Sequence, residues 1–217
     1  GGIGLTHVIQ FPNDPMINHV KFNTSAGGAY SLIGVPSHLP PNLTNLSSMF
    51  MGCSVINDPN IGGWDVSNVD NFANMFLEAI AFNQPLDTWN TSNVVDMQNM
   101  FMVAEAFNQD ISTWDVSKVT NMEGLFAGTK AFNQPLDNWN VSNVTSMRWV
   151  FQGTVSFNQP LNSWDVSKVE VMSQMFERAE AFNQPLDNWN VSNVTDMVGM
   201  FSRAVSFSQN LSQWCVS

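Results

Sequence analysis

The sequence has few charged residues and very few basic ones. Only 12% of its 217 residues are charged, about half of the usual share, and its 7 Lys and Arg leave a net charge of −11. So few cations cannot neutralise a nucleic-acid backbone or hold the chain to an anionic membrane surface. We therefore expect no nucleic-acid partner.

Long apolar runs are also absent. No stretch approaches the roughly 18 apolar residues that cross a bilayer as a helix. The first residues, Gly1-Gly2-Ile3-Gly4, show neither the charged region nor the apolar region of a signal peptide. We expect no direct membrane insertion by this segment.

The residues that usually carry catalysis are scarce. The three histidines, His7, His19 and His38, all precede the repeated part of the chain, although histidine is the most frequent general base and metal ligand. No nucleophile elbow, phosphate-binding glycine loop or His-Glu-x-x-His motif occurs. The calcium-loop pattern Asp-x-Asp-x-Asp-Gly is missing too. We predict a protein that is not an enzyme and needs no cofactor or metal.

Aromatic residues, in contrast, are abundant and recur at a fixed spacing. They make up 12% of the chain, enough apolar surface to offset the entropy lost on folding. The period is 25 residues, and one unit has the form Phe-Asn-Gln-Pro-Leu-Asp-x-Trp-Asn-Val-Ser-Asn-Val-Thr-x-Met-x-x-Met-Phe. The tryptophans that mark it are Trp64, Trp89, Trp114, Trp139, Trp164, Trp189 and Trp214.

Each unit contains two patterns of apolar residues. One has the spacing of a helix face, with a serine such as Ser92 placed upstream as an N-cap; its members are Val94, Met97, Met100, Phe101, Ala104 and Phe107. The other, at Leu86, Trp89 and Thr91, suits a short strand.

These patterns predict the architecture. A unit of 25 residues cannot bury its apolar face alone, so neighbouring units must stack. We expect an α/β repeat protein, a right-handed β/α solenoid resembling a leucine-rich repeat, with about seven turns in residues 41–217. Residues 1–40 form either an N-terminal cap or a junction to another domain. The asparagine after each Phe is expected to build a hydrogen-bonded ladder; this column is Asn83, Asn108, Asn133, Asn158 and Asn183.

The repeat resembles that of BspA-type surface proteins, the bacterial surface protein 26-residue repeat family. The likeness covers every unit and about four-fifths of the chain. The lead-in Asn45-Leu46-Ser47-Ser48-Met49-Phe50 also fits the start of such an array. The resemblance implies adhesion on a bacterial, protist or phage surface, without catalysis. It supplies no fixed binding residues.

The two cysteines cannot pair with each other in this architecture. Cys53 aligns with Ala79 and Ala104 and is interpreted as a small buried residue. Cys215 follows Trp214, about six repeats away. At about 4.8 Å per repeat the separation is near 30 Å, beyond the reach of a disulfide.

Polar residues beside each tryptophan are the first candidate ligand site. Stacking would align them in columns, where they suit either a sugar or calcium surface or merely turn hydrogen bonding. We favour the turns, and no metal ligand is assigned. The candidates are Asp87, Asn90, Asp115, Asp137, Asn140 and Asp165.

Trp149 is the second candidate because it breaks the repeat. Its counterparts are Asn74, Asn99, Gly124, Gln174 and Gly199, and Arg148 precedes it. Trp beside Arg has the composition of an interface hot spot. The alternative is a tryptophan lying over the neighbouring repeat. Another set of equivalent positions changes along the chain from large apolar residues to small or polar ones. The apolar residues are Met51, Leu77 and Met102, and those that follow are Ala127, Gln152 and Glu177.

Two functions remain open. The first is a non-catalytic adhesion or ligand-recognition module on a cell or virion surface, hence extracellular, that binds a host or prey surface protein or a glycan. The second is a structural or assembly element, such as a fibre tip or surface-layer unit. A homo-oligomer would form through the N-terminal segment or the expected helix face.

Overall fold

The structure, a computed structural model, describes residues 6–7 and 32–214. Two short parallel strands, β1 (Thr6–His7) and β2 (Leu32–Gly34), pair with each other. A 3-10 helix follows at Pro59–Gly63, where Asp58 Oδ1 accepts a hydrogen bond from the Asn60 N–H at 2.9 Å. Within these described ranges no segment is an α-helix.

Successive repeats stack on one another through parallel backbone pairing. One residue of each repeat forms an isolated bridge to the equivalent residue of the next repeat, about seven residues after the tryptophan. The column of bridges runs through Asn45, Asn71, Asp96, Asn121, Ser146, Val171 and Asp196. Stacking at the 25-residue period therefore agrees with the expectation from the sequence. The solenoid class and its right-handed sense stay predictions.

The segment expected to be helical has a different backbone. In residues 97–104 the N–H groups alternate between two kinds of acceptor. The Asn99 and Phe101 N–H groups donate to Glu123 O and Leu125 O of the next repeat, at 2.8 and 3.0 Å. The Met100 and Met102 N–H groups instead close turns on carbonyls three residues earlier, at 3.1 Å. Every backbone donor is satisfied without a helix.

Left-handed residues explain why the segment cannot be a helix. Two positions in each repeat have positive φ, for example Asn99 at 52° and Val103 at 61°. An α-helix needs negative φ at every residue, and the left-handed region favours Gly and Asn. Gly or Asn occupies the first of these positions at Asn74, Asn99, Gly124 and Gly199. The upstream serines consequently cap no helix.

The expected strand at Leu86–Thr91 is also a turn. The Trp89 N–H donates to Leu86 O at 3.1 Å, which closes the chain on itself rather than pairing it with a neighbour. Parallel pairing takes place further along the repeat, at Asp96.

The aromatic side chains form continuous stacks through the core. Phe101 and Phe126 lie parallel with ring centroids 6.0 Å apart, and Trp89 and Trp114 do the same at 6.1 Å. Each buried indole also has a partner. The Trp114 Nε1–H, for example, donates to Leu86 O of the preceding repeat at 3.0 Å.

The asparagine ladder is confirmed. Asn108 Oδ1 accepts from the Asn133 N–H at 2.9 Å, and Asn133 Oδ1 accepts from the Asn158 N–H at 3.0 Å. Each glutamine that follows reaches back to the same amide, as Gln134 Nε2 does to Asn108 Oδ1. The side chain of one repeat thus satisfies the backbone of the next.

The described end of the N-terminal segment packs on the first repeat. Leu32 and Val35 are buried in the same core cluster as the repeats. The Trp64 Nε1–H donates to Pro36 O at 2.9 Å, which continues the tryptophan column. Whether residues 1–40 act as a cap or as a junction stays open, since most of them lie outside the described residues.

Cys53 is buried as expected, with 0% of its surface exposed. Its thiol has no disulfide partner, and burial raises its pKa to about 12. Cys215, the other cysteine, lies outside the described residues.

Candidate functional site

The polar residues that follow each tryptophan form turns. Asn90 Oδ1 accepts from the Ser92 N–H at 3.1 Å, and Asp115 Oδ1 accepts from the Ser117 N–H at 2.9 Å. Asn140, two repeats after Asn90, and Asp165, two repeats after Asp115, make the same contact with Ser142 and Ser167. Four of the six predicted residues therefore have the structural role that the sequence favours.

Hydrogen bonding also sets the acidity of these carboxylates. The hydroxyl of Ser117 and then its backbone N–H lower the pKa of Asp115, and Ser167 acts in the same way on Asp165. Because such bonds favour the charged form, both side chains stay ionised well into the acidic range.

The other two predicted residues, Asp87 and Asp137, lie two positions before a tryptophan. Both are exposed. Their backbone carbonyls accept hydrogen bonds from the Thr113 and Ser163 hydroxyls, at 3.2 and 2.7 Å. Among residues 32–214 no cluster of three or more His, Cys, Asp or Glu side chains is placed to hold a metal ion.

Trp149 occupies one of the left-handed positions, with φ of 60°. A bulky side chain is rare there, and such strain is retained when the surrounding structure compensates for it. The other repeats place Ser, Asn, Gln or Gly at this position. Stacking alone does not call for a tryptophan here.

Arg148 and Trp149 lie together, as the sequence predicts. The Arg148 guanidinium carbon lies 4.1 Å from the centroid of the Trp149 ring, a cation–π arrangement. Arg148 Nε is also 3.9 Å from Glu123 Oε1, and it is a buried donor without a hydrogen-bond partner. Both Arg148 and Trp149 remain partly exposed.

A chain of side-chain hydrogen bonds leads from Trp149 into the following repeat. The Trp149 Nε1–H donates to Gln174 Oε1 at 2.7 Å, and Gln174 Nε2 donates to Glu177 Oε2 at 2.8 Å. Gln152 Nε2 donates to the same Glu177 oxygen at 2.7 Å. Gln152, Gln174 and Glu177 were not predicted as site residues, although the column of Gln152 and Glu177 showed a change from apolar to polar.

The two predicted sets are separate. Across residues 32–214, neither a hydrogen bond nor an ion pair joins Arg148 or Trp149 to any of the six Asp and Asn residues. Arg148 and Trp149 belong to the left-handed turn segment, whereas the Asp and Asn columns flank the tryptophan turns. The predicted residues thus form one cluster, Arg148 with Trp149, and two columns of turn residues. One column contains Asp87 and Asp137, and the other contains Asn90, Asp115, Asn140 and Asp165.

A sequence model of one protein family matches most of the chain. The family is described as "Mycoplasma protein of unknown function, DUF285", and the matches cover residues 44–148 and 132–217. The chain belongs to this family. The two DUF285 matches overlap and together span residues 44–217, which include all seven of the regularly spaced tryptophans. No curated protein and no solved structure matches the chain.

The described part of this DUF285 member contains no helix long and apolar enough to cross a membrane. Its function has to be argued from its own surface.

Proposed function

We propose that the chain is a non-catalytic recognition module, displayed extracellularly on a cell or virion surface, that binds a host or prey surface protein or a glycan. The observation that carries the proposal is Trp149. A partly exposed tryptophan at a left-handed position, stacked on an arginine, is not required by the repeat. The left-handed backbone occurs at this position in every repeat, so it is the tryptophan beside an arginine that sets this repeat apart. Trp and Arg dominate the energetics of interfaces.

The composition and the repeat support this function. Stacked repeats present extended surfaces that suit binding, and the repeat resembles that of BspA-type surface proteins, for which adhesion is the implied role. The acidic surface leaves nucleic acid and anionic membranes as poor partners.

The experiment is a binding screen with the purified chain. Immobilised glycans and surface-protein extracts are probed with the wild type and with Trp149→Asn, which restores the residue found at positions 74 and 99. We expect at least one ligand that the wild type retains and the variant binds at least tenfold more weakly. Silence of the wild type on both arrays would overturn the proposal.

Assembly is the second candidate function, and two exposed valines favour it. Val55 and Val95, which lie inside the array and not in its last repeat, are 43% and 42% exposed. Apolar side chains placed in this way suit contact with another copy of the chain. Sedimentation over a hundredfold concentration range distinguishes the functions, because a chain that stays monomeric throughout is not an assembly element by itself.

A further inference from the structure

Two stacked glycines form the floor of a groove beside Trp149. Gly128 and Gly153 occupy the second left-handed position of their repeats, with φ of 73° and 67°. The groove above them is open to solvent and has a volume of about 410 Å³.

The backbone does not require glycine at this position. Four of the five equivalent residues in the other repeats carry full side chains at φ of 57–61°, and the fifth, Gly52, is also a glycine; the four are Glu78, Val103, Arg178 and Arg203. A Cβ atom on Gly153 would meet its nearest neighbour at 3.8 Å, and one on Gly128 at 3.4 Å. There is therefore room for a side chain, which would carry the strain of a left-handed backbone as the four residues above do. The open space is a property of these two repeats rather than of the stack.

One side of the groove is apolar and the other is polar. Met102, Val103 and Ala127 supply the apolar side. Gln152, Gln174, Glu177 and Arg178 supply the polar side, on which Glu177 Oε2 is fixed by the two amide donors already described. No described residue donates a hydrogen bond to the second carboxylate oxygen of Glu177, which leaves that oxygen available to a ligand.

The charges of the lining select a neutral ligand. Glu177 and Arg178 are its only charged residues and have opposite signs, although the chain as a whole carries −11. Fixed amide and carboxylate groups opposite an apolar surface match a sugar ring, whose hydroxyl groups both donate and accept hydrogen bonds and whose C–H groups form an apolar face.

We propose that the groove over Gly128 and Gly153 binds a neutral saccharide through Gln152, Gln174 and Glu177. This inference rests on the proposed recognition function and names its ligand class. Trp149 is a positioning residue, because its indole N–H holds the Gln174 amide in the orientation in which Nε2 points to Glu177.

The test is a titration of the full chain, followed by the backbone amide signals of Gly128 and Gly153 in NMR spectra. The probes are neutral methyl glycosides of common hexoses and N-acetylhexosamines and their disaccharides, with glucosamine and a glucuronide as charged comparisons. We expect at least one neutral probe to shift both glycine signals. A response to charged probes alone, or to none, overturns the saccharide assignment.

Two variants check that binding occurs in the groove. Gly153→Val fills it with the side chain that position 103 already carries, and binding should fall at least tenfold. Gly52→Val makes the same change in the same column outside the lining and should bind like the wild type. If the Gly153 variant still binds a sugar found in the screen, this inference fails while the recognition function stands.

Trp149→Phe tests the positioning role, because it removes the N–H donor and keeps the aromatic ring. We expect weaker sugar binding and a melting temperature lowered only by the loss of one partly buried hydrogen bond, together with a shift of the Gln174 side-chain amide signals before any sugar is added. An unchanged Gln174 amide would overturn the role of Trp149.

Discussion

The Trp149 indole N–H lies 2.7 Å from Gln174 Oε1 although one full repeat separates the two residues in the sequence. Through the Gln174 amide, this bond connects Trp149, which breaks the repeat pattern, to the Glu177 carboxylate. It also offsets part of the cost of the left-handed backbone at Trp149, because a partly buried indole N–H needs an acceptor.

Replacing Trp149 should separate stability from binding. Trp149→Asn relieves a strain of about 1–2 kcal/mol and loses a hydrogen bond worth about 0.5–1.5 kcal/mol. We expect the free energy of unfolding to change by less than about 1 kcal/mol, measured by urea denaturation. The control is Phe151→Ala, which should cost about 3–5 kcal/mol because Phe151 is fully buried. A loss above about 2 kcal/mol for the Trp149 variant would make Trp149 a structural residue.

Removing one amide from the asparagine ladder should be costly. Asn133 Oδ1 accepts from the Asn158 N–H and from Gln159 Nε2. Asn133→Ala therefore leaves the Asn158 N–H unpaired, while Gln159 Nε2 keeps its bond to the Asn133 carbonyl. We expect a loss of about 1–3 kcal/mol in the free energy of unfolding. Asn138→Ala, at an exposed position in the same repeat, should cost less than about 0.5 kcal/mol. Equal effects of the two substitutions would show that the ladder does not stabilise the stack.

Acid should destabilise the chain through the turn carboxylates. Hydrogen bonds from the serine two residues on lower the pKa values of Asp65, Asp115 and Asp165. The unfolded chain therefore binds more protons on acidification, and the stabilisation present above the ordinary Asp pKa, about 4, is lost as the pH falls below it.

The repeat itself supplies the matched variant, since Asn90, Asn140 and Asn190 fill the same position. With all three Asp residues changed to Asn, the melting temperature should fall less steeply between pH 6 and pH 3. Melting curves with the same pH dependence in both proteins would contradict this account.

Cys53 should be inert while the chain is folded. Its pKa of about 12 leaves almost no thiolate, which is the reactive form, and its side chain is fully buried. In a Cys215→Ser background, a thiol reagent at pH 8 should label Cys53 only as fast as the chain unfolds, and rapidly in concentrated urea. Fast labelling of the folded protein would mean that the first repeat opens locally.

The sequence was sufficient to predict the stacking and the buried columns, because a residue that recurs at one period must meet its own copies. Phe101, Phe126 and Phe151 could be placed in the core on that ground alone. The local backbone could not be predicted. The spacing of Val94, Met97, Met100 and Phe101 is compatible with a helix. It is equally compatible with consecutive turns in which every second backbone N–H donates to a carbonyl of the next repeat. Only Asn and Gly at positions 74, 99, 124 and 199 indicated left-handed residues.

The candidate site was predicted only in part. Arg148 and Trp149 could be identified because they differ from the other repeats at positions where stacking makes no demand. Gln152, Gln174 and Glu177 have ordinary side chains, and their connection depends on which way each side chain turns across the repeat boundary. The groove was missed because glycine at positions 128 and 153 suggests a backbone requirement, whereas Val103 and Arg178 show that none exists.

The alternation of hydrogen bonds along residues 97–104 has a mechanical consequence. Half of the donors bond within a repeat and half bond across the boundary, so each boundary is a separate bonded unit. We expect a tensile load applied to the two ends of the array to open one boundary at a time, with each opening releasing about 25 residues, or roughly 85 Å of extended chain. A stacked array of this kind would lengthen in steps under load and dissipate work at each step, so the repeats would not all unfold together.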